Sequence, residues 1–178
     1  HANERWGKNP LYLKMAISGA VQFQPTRETA LLEAEVMKEY GVLNQAHFLE
    51  SPERVAEQQV KFNWYLESGA LGPNFIFGHF IQTTPEILKI AAAAGASIIS
   101  QPTSNSRLAS GVADIVAYRK AGMKVAVGLD DQSCTDISDP FQNLRIGMAL
   151  IRTHYKSAAA LSVTEMLRLH TLGSAEVL

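Results

Sequence analysis

The sequence predicts an α/β fold of repeated strand–helix units around a parallel sheet. Three observations point to it. Five short apolar runs alternate with longer amphipathic stretches, the pattern that a parallel sheet and its crossover helices impose. Three of the amphipathic stretches open on a capping residue followed by proline: Ser51-Pro52, Thr84-Pro85 and Asp139-Pro140. There the missing proline N–H costs nothing, and the cap serves a free backbone donor. Gly41, Gly69, Gly95 and Gly122 close helical stretches, since glycine takes the left-handed backbone that ends a helix.

The first strand is expected over residues 11–18, followed by a turn region with Gly19 and Pro25. A helix over 26–40 then carries Ala30, Leu31, Ala34 and Met37 on one face. The second strand, 42–47, leads to a helix capped by Ser51 and continued by Val55, Gln59, Phe62 and Leu66. The third strand, 75–79, precedes a helix over 85–94 capped by Thr84. The fourth, 97–101, runs into a polar loop at 102–106 and a helix at 112–121. The fifth, 124–129, is followed by a loop at 130–138 and a helix from 140 to about 155. A last helix, 162–172, opens with a Ser162/Glu165 capping box. This periodicity fits an open doubly wound sheet or part of an eight-stranded barrel. The glycine-rich phosphate loop that marks many open sheets is absent.

The 178 residues suffice for one domain with its own core, and no low-complexity tract or linker divides them. With 19% charged residues and a net charge of −1, the charge balance favours neither nucleic acid nor an anionic membrane. No apolar run is long enough to span a bilayer. The lone cysteine, Cys134, excludes an internal disulfide and fits a reducing, cytoplasmic setting. The chain opens at His1 instead of Met, without the charged-then-apolar build of a signal peptide. That start suggests a processed chain or a segment of a longer protein.

Groups suited to metal and proton chemistry recur at the ends of the strands: His47, His79, Gln101 and Asp130. In a barrel these ends share one rim, so residues distant in sequence converge. Glu50, three residues beyond His47, lies where a curl of the chain brings its carboxylate back toward the histidine. Each residue taken singly has a plainer reading as a turn former, a helix cap or a hydrogen-bonded structural group. Their recurrence at equivalent positions favours the chemical one. His154 and His170 fall within helices and His1 is terminal, so no role is expected of them. Cys134 has no histidine beside it in sequence and is expected to be a passive loop residue.

The run Ala46-His47-Phe48-Leu49-Glu50 resembles the His-x-x-Glu element of the amidohydrolase superfamily, in its cytosine deaminase, guanine deaminase and triazine hydrolase branch. Gly78-His79 resembles the branch's next strand-end histidine. Pro102-Thr103-Ser104-Asn105 with Leu108-Ala109-Ser110-Gly111 is similar to its PTSN…LASG loop, and Val127-Gly128-Leu129-Asp130 to its strand-end aspartate. Order and spacing agree over nearly the whole chain.

The resemblance implies a (β/α)8 barrel of which this chain supplies about the last five units. The His-x-His pair that the first strand normally contributes is absent. Either the missing strands belong to another part of the same protein, or this chain cannot hold metal in the family's way. The resemblance implies one divalent metal, zinc in the first place and iron(II) as the other candidate, held by His47 and Asp130. Glu50, His79 and Asp130 would be the catalytic residues of a deaminase of a nitrogen heterocycle. Glu50 would shuttle protons, His79 would orient the attacking water or polarise the carbon, and Asp130 would also take the water's proton. The alternative is a non-catalytic relative with a binding or assembly role. A small heterocyclic substrate is the expected partner, and a homo-oligomer is left open.

Departures from the pattern bear on substrate. Ser100-Gln101 stand where many relatives have His-Cys, Asp131 where a small residue is usual, and Gly19 where many carry histidine. Gln22 (or Gln24), Gln101 and Asp131 are therefore expected to contact substrate, with capping an equal reading for Asp131.

Overall fold

The computed structural model describes residues 2–9, 14–136 and 138–178. A short helix α1 (Ala2–Trp6) precedes five strand–helix units. β1 (Ala16–Gly19) leads through a 3-10 turn, Val21–Phe23, to α2 (Glu28–Tyr40), and β2 (Leu43–Phe48) through a second, Pro52–Arg54, to α3 (Val55–Ser68). β3 (Phe75–His79) precedes α4 (Pro85–Ala93), and β4 (Ser97–Ser100) precedes α5 (Pro102–Arg107) and α6 (Ile115–Lys120). After β5 (Lys124–Val127) come α7 (Gln132–Thr135), α8 (Pro140–Tyr155), α9 (Val163–His170) and α10 (Leu172–Val177).

All four strand pairs are parallel, in the order β1-β2-β3-β4-β5. That order chooses between the two architectures left open by periodicity. A doubly wound sheet reverses direction at a switch point, whereas consecutive parallel neighbours joined by right-handed crossovers keep their helices on one face. The strands are five successive units of a (β/α) barrel.

Strand alternation sorts the side chains onto two faces. Ala46, Phe48, Phe75, Phe77, Ile98 and Val125 join Phe62, Tyr65, Ile115 and Tyr118 of the helices in the main core. Its centre is aromatic: Phe77 stacks on Phe80 at 4.4 Å and Tyr65 meets Phe75 edge-on at 4.6 Å. Such pairs contribute about 0.5–1.5 kcal/mol each beyond area burial. On the other face Leu43, Ile76 and Ala126 pack with Val177 of α10. His47 alternates with Phe48 and so belongs to that second face, the barrel's interior. Among the described residues no helix is long and apolar enough to cross a membrane.

β3, the Thr84 cap, the Asp139 cap and the Ser162/Glu165 capping box stand as expected. Other expectations need correction. Residues 11–13 of the first expected strand lie outside the described residues, and the strand itself is Ala16–Gly19. Leu31 is exposed; α2 instead buries Ala30 and Glu33, because a buried acid takes an apolar residue's place in the stripe. Ser51 makes no side-chain cap, since a 3-10 turn intervenes before α3. α3 buries Gln58, Lys61, Phe62 and Tyr65, while Leu66 faces solvent. The expected polar loop at 102–106 is the helix α5, and residues 112–114 precede the Asp114-capped α6. α7 and α10 are additions that the sequence pattern does not predict.

Candidate active site

β2 points His47 into the interior, and the chain then turns sharply. Leu49 adopts a left-handed backbone, φ +53°, which redirects Glu50 back over the strand end. β3 ends the same way, with His79 at φ +66° and Phe80 at +54°, and Asp130 beyond β5 stands at +74°. Residues with a Cβ disfavour this conformation, and it clusters where the surroundings over-determine it. Here cross-strand bonds do so: Phe80 N–H donates to Phe48 O, Gln82 N–H to Leu49 O and Gly128 N–H to Ser100 O.

These turns bring four side chains together. His79 Nε2 lies 3.1 Å from His47 Nδ1, 3.6 Å from Glu50 Oε2 and 3.6 Å from Asp130 Oδ2. His47, His79 and Asp130 each offer a ligand atom, all within 4.8 Å of one another. Two imidazole nitrogens and a carboxylate oxygen at that spread suit a divalent ion, which with three protein ligands keeps a coordination position open. His79 thus joins the two residues expected to be ligands.

Burial shifts the pKa of Glu50 and of His79 toward the uncharged form of each. Burial pushes the Glu50 carboxyl above its ordinary pKa; His47 opposes that and Asp130 reinforces it. Burial also lowers the His79 pKa, against the pull of its Asn105 hydrogen bond and of Asp130. Asn105 Oδ1 lies 2.7 Å from His79 Nδ1. An N–H at Nδ1 serving that oxygen leaves Nε2 as the lone-pair nitrogen facing the cluster.

The residues expected to contact substrate each take part in hydrogen bonds within the chain. Gln101 is 4% exposed, and its Oε1 accepts the His79 N–H at 3.0 Å. Gln22 is 2% exposed, and its backbone carbonyl accepts from the buried Lys61 ammonium at 3.0 Å. Asp131 caps α7, its Oδ1 accepting the Ser133 N–H at 2.7 Å, and that bond lowers its pKa. A Cβ at Gly19 would lie 2.5 Å from Asn44 Oδ1 and 2.7 Å from the Ala46 methyl, so a histidine does not fit there. At Gly78 a Cβ would meet the far end of the Gln45 side chain, with Nε2 at 2.8 Å. Asn105 belongs to the PTSN run, but the run alone does not reveal its bond to His79. His170, expected to be idle, bonds Val127 O through Nδ1 at 2.9 Å and ties α9 to β5.

The model of the amidohydrolase family matches residues 3–178. The chain belongs to the amidohydrolase family. Among the relatives of this amidohydrolase chain is a 5-methylthioadenosine/S-adenosylhomocysteine deaminase of Halobacterium salinarum, 33% identical over 62% of the chain and 26% of the relative. A protein of the same name from Halothermothrix orenii is 28% identical over 81% of the chain and 35% of its own length. The zinc-bound adenosine deaminase of Xanthomonas campestris superposes with a TM-score of 0.87 at 23% identity, over 99% of this chain and 41% of that one. Guanine deaminase from C. acetobutylicum, solved with bound guanine, gives a TM-score of 0.76 at 19% identity, over 85% and 39%. The chain therefore spans well under half the length of these relatives.

Proposed function

We propose that the protein is a metal-dependent hydrolase that deaminates a nitrogen heterocycle of purine, pyrimidine or triazine type, with this chain supplying the later five units of its barrel. The convergence of His47, His79 and Asp130 within 4.8 Å, with Glu50 at 3.6 Å from His79, carries the reading. His47 and Asp130, with His79 beside them, would hold the ion, and zinc suits their nitrogen and oxygen donors. When bound, such an ion acidifies a water from a pKa of about 16 toward about 7.

The chain's own groups then move the protons. The Asp130 carboxylate accepts one from the attacking water. Glu50, whose carboxyl burial pushes above its ordinary pKa, delivers a proton to the ring nitrogen beside the attacked carbon. Glu50 then takes the remaining hydroxyl proton of the former water as the ring carbonyl forms and passes it to the departing amine, and the proton held by Asp130 restores the acid form of Glu50. His79 keeps its Nε2 lone pair toward the site because Asn105 fixes the other nitrogen; there it would join His47 and Asp130 as a donor to the ion and so help fix where the water lies. The balance is one water consumed, one exocyclic C–N bond broken, and a ring carbonyl and ammonia formed. The deaminase names of the relatives and the cytoplasmic setting suggested by a lone cysteine fit this reading.

The test is ammonia release by the full-length, zinc-loaded protein from a panel of amino-substituted purines, pyrimidines and triazines. Release that vanishes on chelation and returns with zinc is expected. Zinc bound with no heterocycle turned over would leave the non-catalytic alternative in possession.

A further inference from the structure

Buried side-chain amides stand behind the rim groups, each holding backbone at the point where a strand gives way to a left-handed turn. Gln58 of α3 is 1% exposed, and its Oε1 accepts the Glu50 N–H at 3.0 Å. Gln101 does the same for the His79 N–H. Asn143 of α8, also 1% exposed, uses both ends. Its Oδ1 accepts from the Thr103 N–H at 3.0 Å and the Thr103 hydroxyl at 2.9 Å. Its Nδ2 donates to the Gly128 carbonyl at 2.9 Å, two residues before Asp130.

We propose that Gln58, Gln101 and Asn143 are positioning residues that aim Glu50, His79 and Asp130 respectively. Each left-handed turn has a backbone group that the regular sheet ladder no longer serves, and a buried amide takes it up. An amide suits the place because it is neutral beside a site already holding two carboxylates. Asn143 further requires a donor and an acceptor on one side chain, which a carboxylate does not offer. Its three bonds join helix α5, which carries Asn105, to the strand end that carries Asp130. The proposal rests on the metal-site reading above.

Because each amide serves a different group, their loss produces different defects, which general loosening of the fold would not. In the full-length protein, zinc affinity is measured on the metal-free form by competition with a chelating dye, and kcat and KM on the loaded form. Asn143→Leu is expected to weaken zinc binding about 10–100-fold, the usual loss for a partner that orients a ligand. Gln58→Leu is expected to keep zinc affinity and lower kcat with KM unchanged. Gln101→Leu is expected to reduce both affinity and kcat, since His79 serves in both. Should Asn143→Leu fail to fold, Asn143→Asp keeps the Thr103 bonds and loses the Gly128 bond, with the same direction expected. Folded Asn143 variants with wild-type zinc affinity, or equal losses of affinity in all three, overturn the proposal. Wild-type protein that takes up no zinc would refute the functional reading and this one with it. Wild-type protein that binds zinc beside variants that bind it equally well refutes only the positioning role.

Discussion

Glu33 and Glu50 are both carboxylates withdrawn from water, and the molecule treats them oppositely. Glu33, 7% exposed beneath β1, has both oxygens served: Oε1 by the Ala20 N–H and Oε2 by Asn44 Nδ2, each at 2.8 Å. Burial, and then the Glu33 charge, push the neighbouring Tyr65 phenol far above its usual range. Glu50 is met instead by His79 Nε2 at 3.6 Å, and burial, reinforced by the Asp130 charge, raises its pKa. A buried carboxylate whose acceptors are filled is a strut. One that faces another titratable group across a gap is poised to exchange protons.

The largest effect expected from this contrast is on turnover. Glu50→Gln should lower kcat by about 10²–10⁴-fold, the range for a positioned acid–base group, while zinc uptake stays at the wild-type level. Steady-state kinetics beside metal analysis checks it, and unchanged kcat would rule Glu50 out as the proton shuttle. Glu33→Leu should do the reverse. It strands the Ala20 N–H and Asn44 Nδ2 without acceptors and should cost about 3 kcal/mol of stability. Once folded and at low temperature, it should retain most of its turnover. Denaturant unfolding measures the loss, and an unaltered midpoint would show that Glu33 is no strut.

A third, smaller effect lies in the pH dependence of the metal-free protein. His79 has a native pKa below the ordinary 6.5, so the unfolded chain binds more protons near that pH, and stability falls as pH drops through it. Glu50 has a native pKa above the ordinary 4.5, so the native state binds more protons there. Its contribution falls as pH rises past that value. Glu50→Gln should therefore raise Tm at about pH 7 and leave it unchanged at about pH 4, where both side chains are neutral. Thermal melts at the two pH values decide it; an equal shift at both would assign the effect to packing.

The strut and the rim are unequally legible in the sequence. β3 with its Thr84 cap follows from local signals, because Pro85 and Glu86 sit where any helix start wants them. His47, Glu50, His79 and Asp130 follow from their places at or just beyond strand ends. Gln58, Asn143 and Glu33 do not. They lie in helices, on faces where the 3.6-residue period leads one to expect apolar side chains, and their partners are backbone groups 8 to 40 residues away. Polar residues that complete a tertiary network leave no periodic trace. They appear only as interruptions of a stripe, as where Glu33 displaces Leu31 from the buried face of α2.

Asp131 separates the two kinds of carboxylate most finely. It adjoins Asp130 at the rim, yet its side chain caps α7 through Ser133, as a turn former does. Asp131→Ala removes the acceptor and should lower Tm, whereas Asp131→Ser keeps an oxygen at the cap and removes only the charge. Wild-type Tm and wild-type KM in Asp131→Ser would make the residue a strut like Glu33, placed beside the chemistry by the shortness of the β5 loop. A raised KM for amino-bearing substrates with unaltered Tm would instead mean that its second oxygen reads the substrate. The rim would then commit three carboxylates to the site, and substrates with donor groups or positive charge would be its natural occupants.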